Sequence, residues 1–369
     1  MKEHRINQLW VQTIGLLLDG GSTVGPDGTI SFNWSRFDEF IQFFMDRGAV
    51  KGLESGHLML KDDSGNYCIW GLKRNSAGDT VIAKMPYGSN EANRFAGQYL
   101  AQLKAHLQSK EWLDKWYLSI GDEPNTESME VTWRAAYDDL VSVYAPGMKV
   151  LNAFYRPLNE MTDTYEGRLF CWVPILNIVD QNMSYFQSRQ DLGEEFWDYV
   201  CVGPSGEYYN RFIDMPLSRI RMHQWYNYNN GITGTLHWAW NFWPLPNDTA
   251  ATPGDNAIVY PDSANGTVRN TLRYEALRDG AEEYELFKIL ETGDSSLAHK
   301  LANAVSPNAK NPPTDIRYLE QKHRQLVRAA AGQTAGDPTL DAFSLIDAEN
   351  FSETSGVYRE LSTDQVENR

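Results

Sequence analysis

The sequence is short of cysteine and of positive charge and has no long apolar run, and each shortage removes a class of protein. Cys68, Cys171 and Cys201 stand far apart with no CxxC pair, which argues against a disulfide framework or a zinc site and leaves buried free thiols as the expectation. Lys and Arg number 33 against 49 Asp and Glu, a formal charge of −16, so the chain repels nucleic acid and anionic lipid. No stretch is long enough to span a bilayer, and the residues after Met1 form no charged-then-apolar leader. As written the chain reads as soluble and cytoplasmic, with localisation left open because a lost N-terminal segment can carry an export signal. Gly20-Gly21 and Gly25-Pro26-Asp27-Gly28 lack the strand-to-helix setting of a phosphate loop, and no serine or cysteine nucleophile signature occurs. Nothing in the motifs asks for a metal or an organic cofactor.

Aromatic residues, by contrast, are abundant: 12 Trp and 19 Tyr. Such a surplus serves either core packing or the stacking of sugar rings on aromatic faces. Short apolar runs alternate with amphipathic segments along the chain, the pattern of parallel strands joined by crossover helices. Strands are expected near Gln8–Gly15, Val50–Ser55, Trp116–Gly121, Lys149–Ala153, Arg168–Val173, Phe196–Val202 and Gly234–Trp240. Helices fit between and after them at Trp34–Arg47, Ala92–Ser109, Ser128–Tyr144, Met183–Gln190, Leu217–Tyr228 and Val268–Leu290. The expected fold is therefore an α/β, TIM-like (β/α)8 barrel, incomplete with about seven strands, since closed barrels of this kind have eight. An irregular N-terminal segment closes the gap, or the chain is a fragment of a longer protein.

Residues 1–292 form the expected barrel domain, with a β-rich excursion at 57–86 whose turn signals are Asp63-Ser64-Gly65-Asn66 and Ser76-Ala77-Gly78-Asp79. Residues 293–369 read as a helical extension, with a helix at Ile316–Ala331 and weak order from Gly332 onward.

The chemistry concentrates in Leu118-Ser119-Ile120-Gly121-Asp122-Glu123-Pro124-Asn125, where an apolar strand runs into two acids. Pro124 predicts an extended Glu123 and an end to the strand. At the C-terminal rim of a barrel such residues are placed for catalysis; the alternative is that they cap the following helix. Adjacent carboxyls in a partly buried setting have divergent pKa values, so one can donate a proton while its neighbour stays ionised. Glycosidic cleavage needs that division of labour.

Four segments in order extend the reading: Thr29-Ile30-Ser31-Phe32 with Phe37-Asp38-Glu39-Phe40, the Asp122-Glu123 pair, Gly234-Thr235-Leu236-His237-Trp238-Ala239-Trp240-Asn241-Phe242-Trp243, and Arg273-Tyr274-Glu275-Ala276-Leu277-Arg278-Asp279-Gly280-Ala281-Glu282-Glu283-Tyr284-Glu285. Across residues 5–292 the chain resembles the catalytic domain of glycoside hydrolase family 123, the β-N-acetylgalactosaminidases. Members of that family carry an N-terminal β-sandwich and a first barrel strand ahead of this region. The resemblance implies a substrate-assisted, retaining mechanism without cofactor. The substrate's 2-acetamido oxygen attacks the anomeric carbon, Asp122 orients and stabilises that group, and Glu123 serves as general acid and then base. The implied partner is a glycan with a terminal 2-acetamido sugar, not nucleic acid and not a membrane.

Further candidates lie at strand ends. Trp238, Trp240 and Trp243 close the last strand, where alternation lets two of them face a sugar or pack the barrel top. Asn152 and Tyr155 end another strand, and Tyr208 and Tyr209 follow the next-to-last. His57 follows the second strand, as a site residue or a hydrogen-bonded scaffold residue. The Arg273–Glu285 helix is expected to be structural. Two rivals remain. In a two-carboxylate retaining glycosidase, Glu123 is acid/base and Glu207 the nucleophile, at a spacing of roughly 5–5.5 Å. In an inactive descendant, the aromatic cleft binds carbohydrate without turnover.

Overall fold

The structure is a computed structural model that describes residues 1–243 and 252–333. The tail after Gln333, where weak order is expected, lies outside these residues.

Seven strands form one sheet: β1 (Gln8–Val11), β2 (Gly52–Ser55), β3 (Trp116–Ser119), β4 (Val150–Phe154), β5 (Cys171–Pro174), β6 (Glu195–Tyr199) and β7 (Gly234–Leu236). Their spatial order is their order in the chain, and every neighbouring pair is parallel. That is the winding of a (β/α) barrel one strand short of eight. The strands form where the sequence is apolar on both faces: Trp116-Tyr117-Leu118-Ser119 and Cys171-Trp172-Val173-Pro174 are buried at every position.

Helices cover the outside of this sheet. They are α1 (Thr13–Asp19), α2 (Ser35–Asp46), α3 (Asn90–Ser109), α4 (Glu127–Ala136), α5 (Leu158–Tyr165), α6 (Leu176–Gln181), α7 (Met183–Asp191), α8 (Leu217–Asn229), α9 (Leu272–Val305) and α10 (Ile316–Ala330). Each start has a local cause where a polar side chain caps it: Ser89 accepts from the Ala92 amide, Thr126 from Met129 and Thr271 from Tyr274. Two expected boundaries move. Gly15 belongs to α1, because β1 ends at Val11 and the chain turns into a helix at Thr13, and Val268 lies in an antiparallel hairpin, Val259–Asp262 with Thr267–Asn270. After α4 the helix widens into a π turn at Tyr137–Val141, which absorbs an extra residue before Ser142–Tyr144.

Most of the aromatic surplus is core. Trp116, Trp133, Trp172 and Trp225 are fully buried. Edge-to-face contacts link Trp133 to Tyr165 (5.0 Å between ring centroids), Tyr165 to Trp172 (5.9 Å) and Trp172 to Phe186 (6.3 Å), a spine between sheet and helices.

Inward-facing residues meet across the sheet. Tyr117 of β3 donates its hydroxyl to Glu195 of β6 (2.8 and 2.9 Å), and its ring lies 5.2 Å from Trp197. These strands are not neighbours, so the sheet curls around an interior as a barrel does. The N-terminal segment packs beside α9: His4 stacks on Tyr274 at 3.8 Å and bonds Glu275 at 2.9 Å, and Ile6 joins Trp240 and Ile258.

The Arg273–Glu285 stretch opens α9 and works as scaffold. Glu283 is buried and accepts from Arg221 (2.5 and 3.0 Å) and Trp225 (2.7 Å) of α8, and its other partner is His323 (2.7 Å) of α10. Gly280 lets α8 and α9 approach, since a β-carbon there would lie 2.6 Å from the Arg221 carbonyl oxygen. The helix continues past Thr292, with non-helical backbone at Asp294.

The excursion is a three-stranded antiparallel sheet, Met59–Lys61, Tyr67–Arg74 and Thr80–Pro86. Its first strand pairs with the continuation of β3, through Leu58 N to Ser119 O (3.0 Å) and Met59 N to Ile120 O (2.7 Å).

Candidate active site

Asp122 and Glu123 leave the C-terminal end of β3 beside the excursion. Neither caps α4: that role belongs to Thr126. Glu123 is not extended as Pro124 predicts but takes a left-handed backbone, φ 37°, which a non-glycine residue adopts only under local constraint. The constraint is visible on both sides. Tyr67 of the excursion donates its hydroxyl to the Asp122 carbonyl oxygen (2.7 Å), and Gly121 leaves room for that ring, with a β-carbon position only 3.1 Å from it. From across the barrel, Tyr199 of β6 donates its hydroxyl to the Glu123 carboxylate. The acids are thus tethered in opposite directions, Asp122 toward β2 and the excursion, Glu123 toward β6.

Electrostatics separate the two further. Burial raises the Glu123 pKa and the Asp122 charge adds to it, while the Tyr199 hydrogen bond and Lys61 pull it down; the net direction is up. Asp122 projects an exposed side chain. A proton donor beside an anion follows.

Glu54, at the end of β2, was not foreseen. It pairs in register with Tyr117, so it faces the interior, and it is buried without a hydrogen-bond partner among the described residues. Burial, with the Asp122 charge second, pushes its carboxyl up to about 8. The criterion that singled out Asp122 and Glu123, an acid ending an apolar strand, applies equally to Glu54 within Val50–Ser55. His57 shares this corner, its Nδ1 2.7 Å from the Ser119 hydroxyl, and burial lowers its pKa so that the ring is neutral. Tyr67 and Tyr199 carry no sequence signal, because they reach the acids from distant elements.

The remaining candidates divide between rim and core. Asn152 faces the helices, where its amide donates to Tyr165 (2.8 Å) and accepts from Trp133 (3.1 Å). Tyr209 is fully buried against Ser306 and His223. Neither side chain opens on the rim. Tyr155 is exposed after β4, and Tyr208 is half-buried beneath Lys310, whose ammonium lies 4.4 Å from its ring centroid. Glu207 is exposed on a segment that bonds to residues 309–311, and it is not among the groups whose charge acts on Glu123.

Beyond β7, Trp238 is 48% exposed and Trp243 37%, while Trp240 turns inward onto Tyr274. Trp238 is held by a network absent from the sequence reading. Its indole donates to Asp255 (2.8 Å), which also bonds His237 Nε2 (3.1 Å), and buried Arg211 donates to His237 Nδ1 and the Ala239 carbonyl. With Nδ1 accepting, Nε2 carries the proton. Burial and the adjacent Arg211 depress His237 to about 3, and burial lowers Arg211 to about 9. Burial works to raise Asp255, but His237, Trp238 and Arg211 hold it below the usual carboxylate range. Among the described residues no group of three or more His, Cys, Asp or Glu is arranged to hold a metal ion, and no helix is long and apolar enough to cross a membrane.

Residues 22–290 match the glycoside hydrolase 123 catalytic domain family model. The chain belongs to glycoside hydrolase family 123. Among solved structures it is similar to a family 123 glycoside hydrolase from Clostridium perfringens, described for glycolipid glycan hydrolysis, at 18% identity and a TM-score of 0.61. The match covers 88% of this chain and 61% of that one, so the chain spans under two thirds of that protein's described length, and the likeness speaks for the fold. An endo-beta1,6-glucanase is more remote, at 9% identity, a TM-score of 0.41 and coverage of 74% and 66%. No curated protein matches. In this family-123 chain, the acid pair, the neutral His57 and the exposed Trp238 share the barrel's C-terminal rim.

Proposed function

We propose that the protein hydrolyses terminal β-linked N-acetylgalactosamine with retention of configuration, the 2-acetamido group acting as the nucleophile. The observation that carries this is the division within one dipeptide: Glu123 held toward its protonated form and Asp122 exposed beside it.

In the first step the acetamido oxygen bonds to the anomeric carbon as the glycosidic C–O bond breaks. The bonding pair leaves with the glycosidic oxygen, which takes the Glu123 proton. Asp122 accepts the amide N–H and balances the positive charge of the resulting oxazolinium. In the second step Glu123 removes a proton from water, whose oxygen displaces the acetamido oxygen from the same carbon. Two inversions give retention. Tyr199 stabilises Glu123 in its ionised interval, and Trp238 offers a stacking face for a pyranose.

Asp122 supports this reading over a two-carboxylate scheme, in which it has no task. The exposed Glu207, outside the charges that act on Glu123, points the same way. The test is hydrolysis of chromogenic β-GalNAc, β-GlcNAc and β-galactoside substrates. Turnover of β-GalNAc without the plain galactoside is expected; cleavage of the galactoside alone would overturn the acetamido mechanism, and binding without turnover of any would favour a carbohydrate-binding descendant.

A further inference from the structure

A cleft of about 450 Å³ opens on the rim above β4, β5 and β6, between Tyr155 and Tyr208. Its size falls within the roughly 300–1,000 Å³ of small-ligand sites. Its floor is Ile175, which bridges Tyr199, the residue whose hydroxyl holds Glu123. The cleft therefore adjoins the flank toward which the Glu123 carboxyl is drawn, and Asp122 is tethered toward the opposite flank. A sugar whose acetamido group meets Asp122 and whose glycosidic oxygen meets Glu123 directs its leaving group into this cleft.

The lining fits a neutral polyol. Asn177, at the start of α6, and Gln181, one turn on, supply carboxamides, and Ser205 supplies a hydroxyl. Two phenol rings stand at the ends. None of the described lining residues is charged, in a protein whose net charge is −16. The nearest charges, Lys310 and Asp180, pair with each other at 3.6 Å behind Tyr208. Carboxamides that donate and accept, aromatic faces and no net charge are the recognition chemistry of uncharged sugars.

We propose that this cleft binds the leaving-group sugar, a neutral hexose attached to the glycosidic oxygen that Glu123 protonates. The assignment rests on the function proposed above and adds to it the class of aglycone.

The test compares an aryl β-N-acetylgalactosaminide with N-acetylgalactosamine β-linked to lactose, in the full chain and in the Asn177→Ala, Gln181→Ala double variant. The ratio of kcat/KM for the lactose-linked substrate to that for the aryl substrate is expected to fall roughly ten-fold, chiefly through KM, as two hydrogen bonds are lost. Ser205→Trp, which fills the cleft from its exposed loop, is expected to depress the same ratio. An unchanged ratio in both variants, or an equal fall on both substrates, would overturn the assignment while leaving aryl hydrolysis to uphold the proposed function. A parent chain inert toward both substrates would remove that function, and the cleft's role with it.

Discussion

The ends of β3 and of the segment after β7 both present acids to the same rim, and they are built on opposite plans. After β7 every charge is answered: Asp255 has His237, Trp238 and the Arg211 charge, and its pKa falls below the ordinary value. At β3 the carboxyls are left short of cations, so burial and mutual repulsion win; Glu123 rises, and nearby Glu54 rises to about 8. A satisfied network costs nothing to hold and fixes a wall. An unsatisfied one is less stable but keeps a proton available. The contrast teaches that charge pairing alone separates scaffold from chemistry on this rim.

The sharpest way to break the comparison is substitution on each side. Glu123→Gln is expected to lower kcat/KM by about 10²–10⁴-fold, the worth of a positioned general acid, while the melting temperature holds. Asp255→Ala is expected to do the reverse first, destabilising the fold by roughly 3–5 kcal/mol in denaturant unfolding, because it strands the buried Arg211 charge. Loss of stability in the first variant with none in the second would dissolve the distinction.

Glu54 gives a pH signature of smaller size. Its unfolded pKa is ordinary and its folded pKa is about 8, so between these values the native state holds the extra proton. Its contribution to stability is full at acid pH and is lost as pH rises through about 8. Glu54→Gln is expected to flatten that decline and to exceed the parent by a few kcal/mol, on the order of the linkage estimate, under alkaline conditions.

The smallest effects concern the basic limb of the pH–rate profile. Asp122→Asn removes a charge that raises Glu123, so the limb moves to lower pH in whatever activity remains. Tyr199→Phe removes a hydrogen bond that lowers Glu123, so the limb moves to higher pH. Shifts of the same sign would show that the two neighbours do not act on one carboxyl.

The strands were legible because parallel strands buried on both faces are dense apolar runs, from Trp116 to Ser119 and from Cys171 to Pro174. The same property hid the direction of individual side chains. A strand apolar on both faces carries no alternation, so nothing in the chain told that Asn152 points to Trp133 among the helices, or that Glu54 points inward. Pro124 fixed the stop after Glu123 but not its backbone, which answers to Tyr67 and Tyr199, from 55 residues before Asp122 and 76 residues after Glu123. The Arg211, His237 and Asp255 set was invisible for a like reason: its members come from three separate loops.

The Tyr67 bond also defines what counts as a transferable unit here. The acid dipeptide sits on a barrel strand, yet its carbonyl hangs from a phenol in an inserted sheet that pairs with the end of that strand. Moving the dipeptide onto another barrel would carry the reactive groups without the hanger that sets their turn. Residues 57–86 would have to travel with it, so the insertion and the acids are one inheritable module although most of a strand-and-helix unit separates them in the chain.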